Sequence, residues 1–153
     1  MSTQAPLLRR CTGSSTLSFV VYPVVVLAFE LALHGGRPGF SPWFIPLMIW
    51  GYAQYRLCGR YRIRLGGGGP GMDTPPERLV TTGPFAVSRN PMYMGHLIFL
   101  AGLALTLHSW LAAALGLLTM LRFDARIRRD EARLIARFGA PYADYLAKVR
   151  RWI

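Results

Sequence analysis

Residues able to do chemistry concentrate in two stretches of the C-terminal half. The first, from Leu79 to Gly95, brings Gly83-Pro84, Arg89, Asn90-Pro91, Tyr93 and Gly95 to the mouth of an apolar run. Pro91 suits the first turn of a helix, where its missing N–H costs nothing and the other early N–H groups stay open. With Arg89 beside them they form an anion site; the plainer alternative is an Arg that snorkels to headgroups. The second stretch runs from Arg126 to Tyr145. On a helix, Ile127, Leu134, Ile135 and Phe138 form an apolar stripe, and Glu131 sits within it. A carboxylate there requires a partner, whereas Arg126 and Asp130 already make an ordinary i,i+4 surface pair. Gly139 ends that helix, Pro141 prevents its continuation, and Tyr142 and Tyr145 begin a short terminal helix.

The elements that must position these groups are membrane spans. The 153 residues carry 18 Lys+Arg against 7 Asp+Glu, for a net charge of +11, yet are 52% hydrophobic. The cations, all Arg except Lys148, sit between long apolar runs. That distribution is a membrane protein's rather than a nucleic-acid binder's. Apolar runs cover Leu17–Leu33, Trp43–Leu57, Met92–Leu107 and Trp110–Phe123, and helix compatibility continues from the last to Phe138. The first approaches the ~20 residues a bilayer asks for and the other three fall further short, so these helices must extend into the interface or the bilayer must thin around them. Arg9 and Arg10 resemble the start of a signal peptide, but no small-residue cleavage site follows, and the first run is read as a retained span.

Arginine is frequent before the first span, between the second and third, and after the fourth, while Arg37 is the lone cation of the other two connections. By the positive-inside rule both termini and the middle loop are cytoplasmic. The expected fold is all-α: a single polytopic membrane domain over 1–153 with about four transmembrane helices and a cytoplasmic C-terminal helical segment. Trp43 and Trp110 then mark the outer ends, and Tyr55, Tyr61 and Tyr93 the inner ones. Gly66 to Gly69 with Pro70-Gly71 and Pro75-Pro76 reads as a flexible connector, since no Lys-Ser/Thr follows to make a phosphate loop. Cys11 and Cys58 are too few for a disulfide scaffold, and no Cys/His cluster has metal spacing. Neither a disulfide nor a metal is expected.

Three further polar groups take structural readings. Glu30 and His34, one turn apart, suit a mutual or interfacial contact, and His108 suits a solvated turn. Gly95 and Gly102 permit a second helix, or a second copy of the chain as a homodimer, to approach closely.

The two stretches together resemble the isoprenylcysteine carboxyl methyltransferase and phospholipid methyltransferase superfamily of membrane enzymes. That family's pattern is Gly-Pro-(Phe/Tyr), then Arg-His-Pro-x-Tyr-x-Gly, then Glu-Glu-x-x-Leu-x-x-x-Phe-Gly-x-x-Tyr-x-x-Tyr. This chain has Gly83-Pro84-Phe85, then Arg89-Asn90-Pro91-Met92-Tyr93-Met94-Gly95, then Asp130-Glu131, Leu134, Phe138-Gly139, Tyr142 and Tyr145. The resemblance implies S-adenosylmethionine held by residues 79–96 and 124–146. Gly83, Pro84, Arg89, Asn90, Pro91, Tyr93, His96, Tyr142 and Tyr145 would line the cofactor pocket, and Arg126 and Glu131 would hold the acceptor. Asn90 stands where the family has His and Asp130 where it has Glu; Asn keeps hydrogen bonding but cannot titrate.

Methyl transfer suits such a site because the sulfonium donor is already activated, and the protein has chiefly to align two molecules and shield the charge. A carboxylate acceptor would need only Arg126; an amine, thiol or hydroxyl would need a proton removed, for which Glu131 is the candidate. The expected partners are membrane lipids and a lipophilic acceptor such as an isoprenoid carboxyl or phospholipid amine, with no nucleic acid. The expected location is a bacterial inner or plasma membrane, with the site facing the cytoplasm. Two other readings compete: an NADPH-dependent membrane enzyme similar to sterol reductases, and a non-enzymatic protein gripping anionic lipid.

Overall fold

The computed structural model of the chain describes residues 13–69, 74 and 76–153, and among these no strand occurs. Arg9, Arg10, Cys11, Pro70-Gly71 and Pro75, which the sequence reading used for topology, disulfide content and the connector, lie outside the described residues.

Helix α1, Ser14–Leu33, is long and apolar enough to cross a bilayer. It contains a π-helical stretch at Leu17–Val21, where the Tyr22 N–H donates to the carbonyl of Leu17. Pro23 follows at once and cannot donate, so the widened turn falls where the ordinary ladder would be interrupted. Most of α1 is exposed, including Val24, Val25, Leu27 and Leu31. An apolar helix whose bare face is also apolar suits lipid rather than water.

A 3-10 turn at Pro42–Phe44 leads into α2, Ile45–Gly66. The helix runs well past Leu57, the expected end of the second apolar run, and carries Arg56, Arg60 and Arg64 on its last turns. Arg is a good helix former, and these side chains at i,i+4 spacing reach solvent while the backbone ladder continues. Helix α2 stops where Gly67 takes φ +69° and the carbonyl of Gly66 accepts from the N–H groups of Glu77 and Arg78, at 2.8 and 2.9 Å. The connector is thus tied down at its base. The Arg62 guanidinium clamps it further, donating to the carbonyls of Thr74 and Gly69 at 2.9 and 3.0 Å.

A single turn, α3 (Pro84–Val87), precedes α4 (Pro91–Leu107), which is apolar but shorter than a full span. Ser109 caps α5 (Trp110–Phe138), its Oγ accepting from the Ala112 N–H at 3.2 Å. At ~1.5 Å per residue this helix is longer than a ~30 Å hydrocarbon layer is thick. It ends at Gly139, whose φ of +61° only glycine adopts without strain. Helix α6, Ala140–Lys148, follows directly, as the Gly139, Pro141 and paired tyrosines indicate.

Two compact units form. Of the described residues, the first comprises 13–52 and 96–116, and the second those within 53–95 and 117–153. The core of the first is Val26, Phe99, Leu100, Leu103, Leu107 and Ala112, with Phe19, Tyr22 and Met48 packed on it. Gly102 serves close packing here, because a Cβ on it would lie 2.9 Å from the backbone N of Met48. Glu30 and His34 meet at 3.2 Å, and the exposed His108 ring hydrogen-bonds the Ser41 hydroxyl at 2.9 Å. The second unit buries Cys58, Val80, Phe85, Met92, Tyr93, Phe123, Ile127, Tyr142 and Tyr145.

Gly102→Ala should therefore destabilise by about 1–3 kcal/mol through overpacking against rigid backbone. Gly116→Ala, whose new Cβ would meet only Leu100 Cβ at 3.7 Å, should be neutral or gain up to ~1 kcal/mol of helix propensity. Thermal unfolding of both variants in detergent checks the contrast, and equal effects would contradict it.

Candidate functional site

Helix α5 is built to present charge on one side and arginine on the next. Asp124, Ile127, Glu131 and Leu134 fall at spacings of three, four and three, a single inward face. Ile127 on that face is buried. Arg126, Asp130, Arg133 and Arg137 form the adjoining stripe, where Asp130 stands 3.5 Å from both Arg126 and Arg133. Ile135, expected within the apolar stripe, is exposed instead, because it lies beyond the edge of the buried arc.

Glu131 has the partner its placement demands, and in fact two. Arg89 Nη2 approaches its Oε1 at 3.2 Å, with the side chains only 12% and 13% exposed. Arg151 lies across the same carboxylate as a fork, Nη2 to Oε2 at 2.8 Å and Nε to Oε1 at 3.4 Å. Its remaining Nη1 donates to Asp124 at 3.1 Å. The hydrogen bond to Glu131 is the largest of the effects that hold the Arg151 guanidinium above its ordinary range, while the Arg128 hydrogen bond leads in holding the Asp124 carboxyl below its own.

A cavity of about 270 Å³ opens beside this cluster, near the lower end of the roughly 300–1,000 Å³ typical of small-molecule sites. Arg62 of α2, Leu79, Val80 and Phe85 line one part of it, the segment Arg89–Tyr93 another, and α5 from Arg126 to Arg137 with Tyr142 and Tyr145 of α6 the rest. Its charged lining is Arg62, Arg89, Arg126, Arg133 and Arg137 against Asp130 and Glu131. Tyr93 Oη donates to Asp130 at 3.4 Å. Burial, aided by the nearby Glu131 charge, pushes the Tyr142 phenol up to about 12, and burial raises Tyr145 further. Both phenols therefore keep their protons at neutral pH. The Tyr145 hydroxyl donates to the Phe85 carbonyl at 2.6 Å, fixing α6 against the turn at α3.

Of the residues the sequence singled out, Arg89, Asn90, Pro91, Tyr93, Arg126, Glu131, Tyr142 and Tyr145 come together around this cavity. Gly83 and Pro84 are not in its lining. Gly83, at φ +59°, makes the turn that sets Phe85 in the wall, and a Cβ there would lie 2.7 Å from the Tyr61 ring. His96 belongs to the first unit, fully buried with its ring 4.4 Å from that of Phe19, and it does not line the cavity either. Arg62 and Arg151 went unmarked in the sequence; the Asp124/Glu131 pair, seven apart on one helical face, was the available sign that a shared cation was needed.

Tyr145→Phe should leave the buried Phe85 carbonyl without its donor and cost about 1–3 kcal/mol. A thermal unfolding midpoint equal to that of the parent would show this bond to be idle.

Residues 65–140, about half of the chain, match the family model for phospholipid methyltransferase. The matched region holds Gly83 to Gly95 and all of the charged face of α5 from Asp124 to Arg137. No curated protein sequence matches the chain significantly. With the Arg89 and Glu131 blocks lying inside the matched region, the chain belongs to the phospholipid methyltransferase family of membrane-associated enzymes.

Proposed function

We propose that this chain transfers a methyl group from S-adenosylmethionine to a lipophilic acceptor, at a site facing the cytoplasm in a membrane spanned by α1, α2, α4 and the first half of α5. The observation that carries the reading is the meeting of Arg89 and Glu131 at 3.2 Å beside a lined cavity, from segments 42 residues apart in sequence (131 less 89). Family membership supplies methyl transfer and a lipid-type substrate; the cofactor and the roles of residues are the proposal.

The lining suits the cofactor's amino-acid end. Arg89 Nε is buried with no hydrogen-bond partner among the described residues, so a donor remains for a carboxylate. Glu131 offers about four acceptor positions, of which Arg89 and Arg151 take three, and the fourth can receive an ammonium or acceptor N–H. S-adenosylmethionine supplies a methyl group on a sulfonium, a leaving group that needs no further activation. The residues then have three tasks. Arg89 and Tyr93 hold the donor on a backbone that Asn90 anchors, Arg126 and Glu131 align the acceptor in line with the methyl, and the Tyr142 and Tyr145 rings with Phe85 exclude water.

The five arginines of the lining favour an acceptor with an anionic group near its reacting atom, and a phospholipid amine meets that condition through its phosphate. A phospholipid ammonium must lose a proton before its nitrogen lone pair can attack the methyl, and the vacant acceptor position on Glu131 is where that proton would go.

Binding of tritiated S-adenosylmethionine to purified protein in nanodiscs should be saturable and should exceed that of NADPH. Arg89→Ala should weaken it by roughly tenfold or more, the loss expected for one charge-assisted hydrogen bond. Arg126→Ala and Glu131→Gln should abolish transfer of the labelled methyl into a phospholipid extract. Normal turnover in the Arg126 and Glu131 variants would defeat the assignment, and NADPH binding without S-adenosylmethionine binding would favour a reductase.

A further inference from the structure

The segment after α6 is extended, with Val149 at φ −117° and ψ 130°, and it is bound to the residues that lead into α4 by three hydrogen bonds. The Arg89 N–H donates to the Arg150 carbonyl at 3.1 Å. The Ser88 hydroxyl and the Asn90 side-chain amide both donate to the Arg151 carbonyl, at 3.3 and 3.1 Å. From this backbone anchor the Arg151 side chain reaches Glu131 with two nitrogens and Asp124 with the third. Neither Arg151 nor Asp124 lines the cavity.

We propose that Arg151 is a positioning residue of the methyl-transfer site: it fixes the Glu131 carboxylate against Arg89, and Asn90 anchors the backbone that carries it. The inference rests on the reading of the cavity as an S-adenosylmethionine site. Arg89 alone gives Glu131 one contact at 3.2 Å, a hinge about which the carboxylate can turn. The Arg151 fork adds two more, and three contacts from two directions define both the position and the plane of the group. Asp124, one charge further out, holds the third nitrogen of the fork so that Arg151 cannot swing aside without breaking a second ion pair. Position 90 has a matching chemical requirement. Its side chain must donate to a carbonyl, which Asn does with its NH₂ and which a neutral His can do with a ring N–H, whereas Asp has only acceptors. The residue that stands here in place of the family's usual His thus keeps the one property the anchor uses.

The test uses the full chain in nanodiscs with two readouts, equilibrium binding of tritiated S-adenosylmethionine and hydrogen exchange of the Arg89 amide without ligand. Arg151→Ala and Asn90→Asp should each lower affinity roughly tenfold or more and speed exchange at Arg89. The double variant should be no worse than either single one, since both break one device. Arg151→Lys, which keeps the charge and loses the fork, should fall between Arg151→Ala and the parent; Asn90→His, which keeps the donor, should bind more tightly than Asn90→Asp, and the exposed-site control Lys148→Ala should bind like the parent. Parent-like affinity in Arg151→Ala, or Asn90→His behaving like Asn90→Asp, would overturn the proposal. A parent chain that binds no S-adenosylmethionine would remove the cofactor reading, and the exchange measurement would then decide the anchor alone: unchanged protection of Arg89 in Asn90→Asp refutes it. Where Arg151→Ala fails to fold, Arg151→Lys and Asn90→His against Asn90→Asp carry the same decision.

Discussion

One carboxylate governs how the second unit is put together. Glu131 is only 13% exposed on a face that also buries Ile127, and a charge in such a place costs several kcal/mol unless it is paired and hydrogen-bonded. The compensation comes from two guanidiniums borne by segments far from α5 in sequence. Arg89 can arrive only when the turn at Gly83 and the start of α4 are in place, and Arg151 only when α6 has ended and the chain has returned along Ser88 to Asn90. The ion pairs therefore do more than stabilise: they require three elements to converge, and the cavity is the space the convergence leaves.

The apolar and aromatic parts of the unit support that geometry. Tyr93 packs edge-on against Phe123 at 4.7 Å between ring centres, and its hydroxyl reaches Asp130. Tyr145 ties α6 to the carbonyl of Phe85. Such amphipathic side chains bury a large ring while placing one polar atom precisely, which suits a site that must be dry and yet polar. The raised pKa values of Tyr142 and Tyr145 follow from the same burial and keep both phenols as donors.

Features set by local rules were legible in the sequence. The stop of α5 at Gly139, the short helix after Pro141, the Arg126–Asp130 pair and the contact of Glu30 with His34 all depend on spacings of one to four residues. The need of Glu131 for a partner was equally legible, because a carboxylate within an apolar stripe has few alternatives. The identity of the second partner was not, since Arg151 lies twenty residues away on an extended segment where no periodicity marks it. His96 shows the limit of carrying a residue over by position. The resemblance implies a place for it in the cofactor pocket, whereas its buried ring packs with Phe19 and is absent from the cavity lining. Gly83 and Pro84 carry shape rather than contact, a distinction that residue type alone does not make.

Asn90 clarifies what the site can and cannot ask of its residues. Its amide is spent on the Arg151 carbonyl and its backbone carbonyl on the N–H of Met94, so it is committed to architecture on both counts. A side chain so engaged, and lacking a titrating group, does not shuttle protons at this point. Under the proposed methyl transfer the activated donor makes no such demand on it, and the α5 side of the cavity is where a proton leaving the acceptor would be taken. Glu131 is the carboxylate there that Arg89 and Arg151 hold still, so in that proposal the orientation of a single side chain, set by a residue twenty positions further along, bears on the chemistry of the whole site.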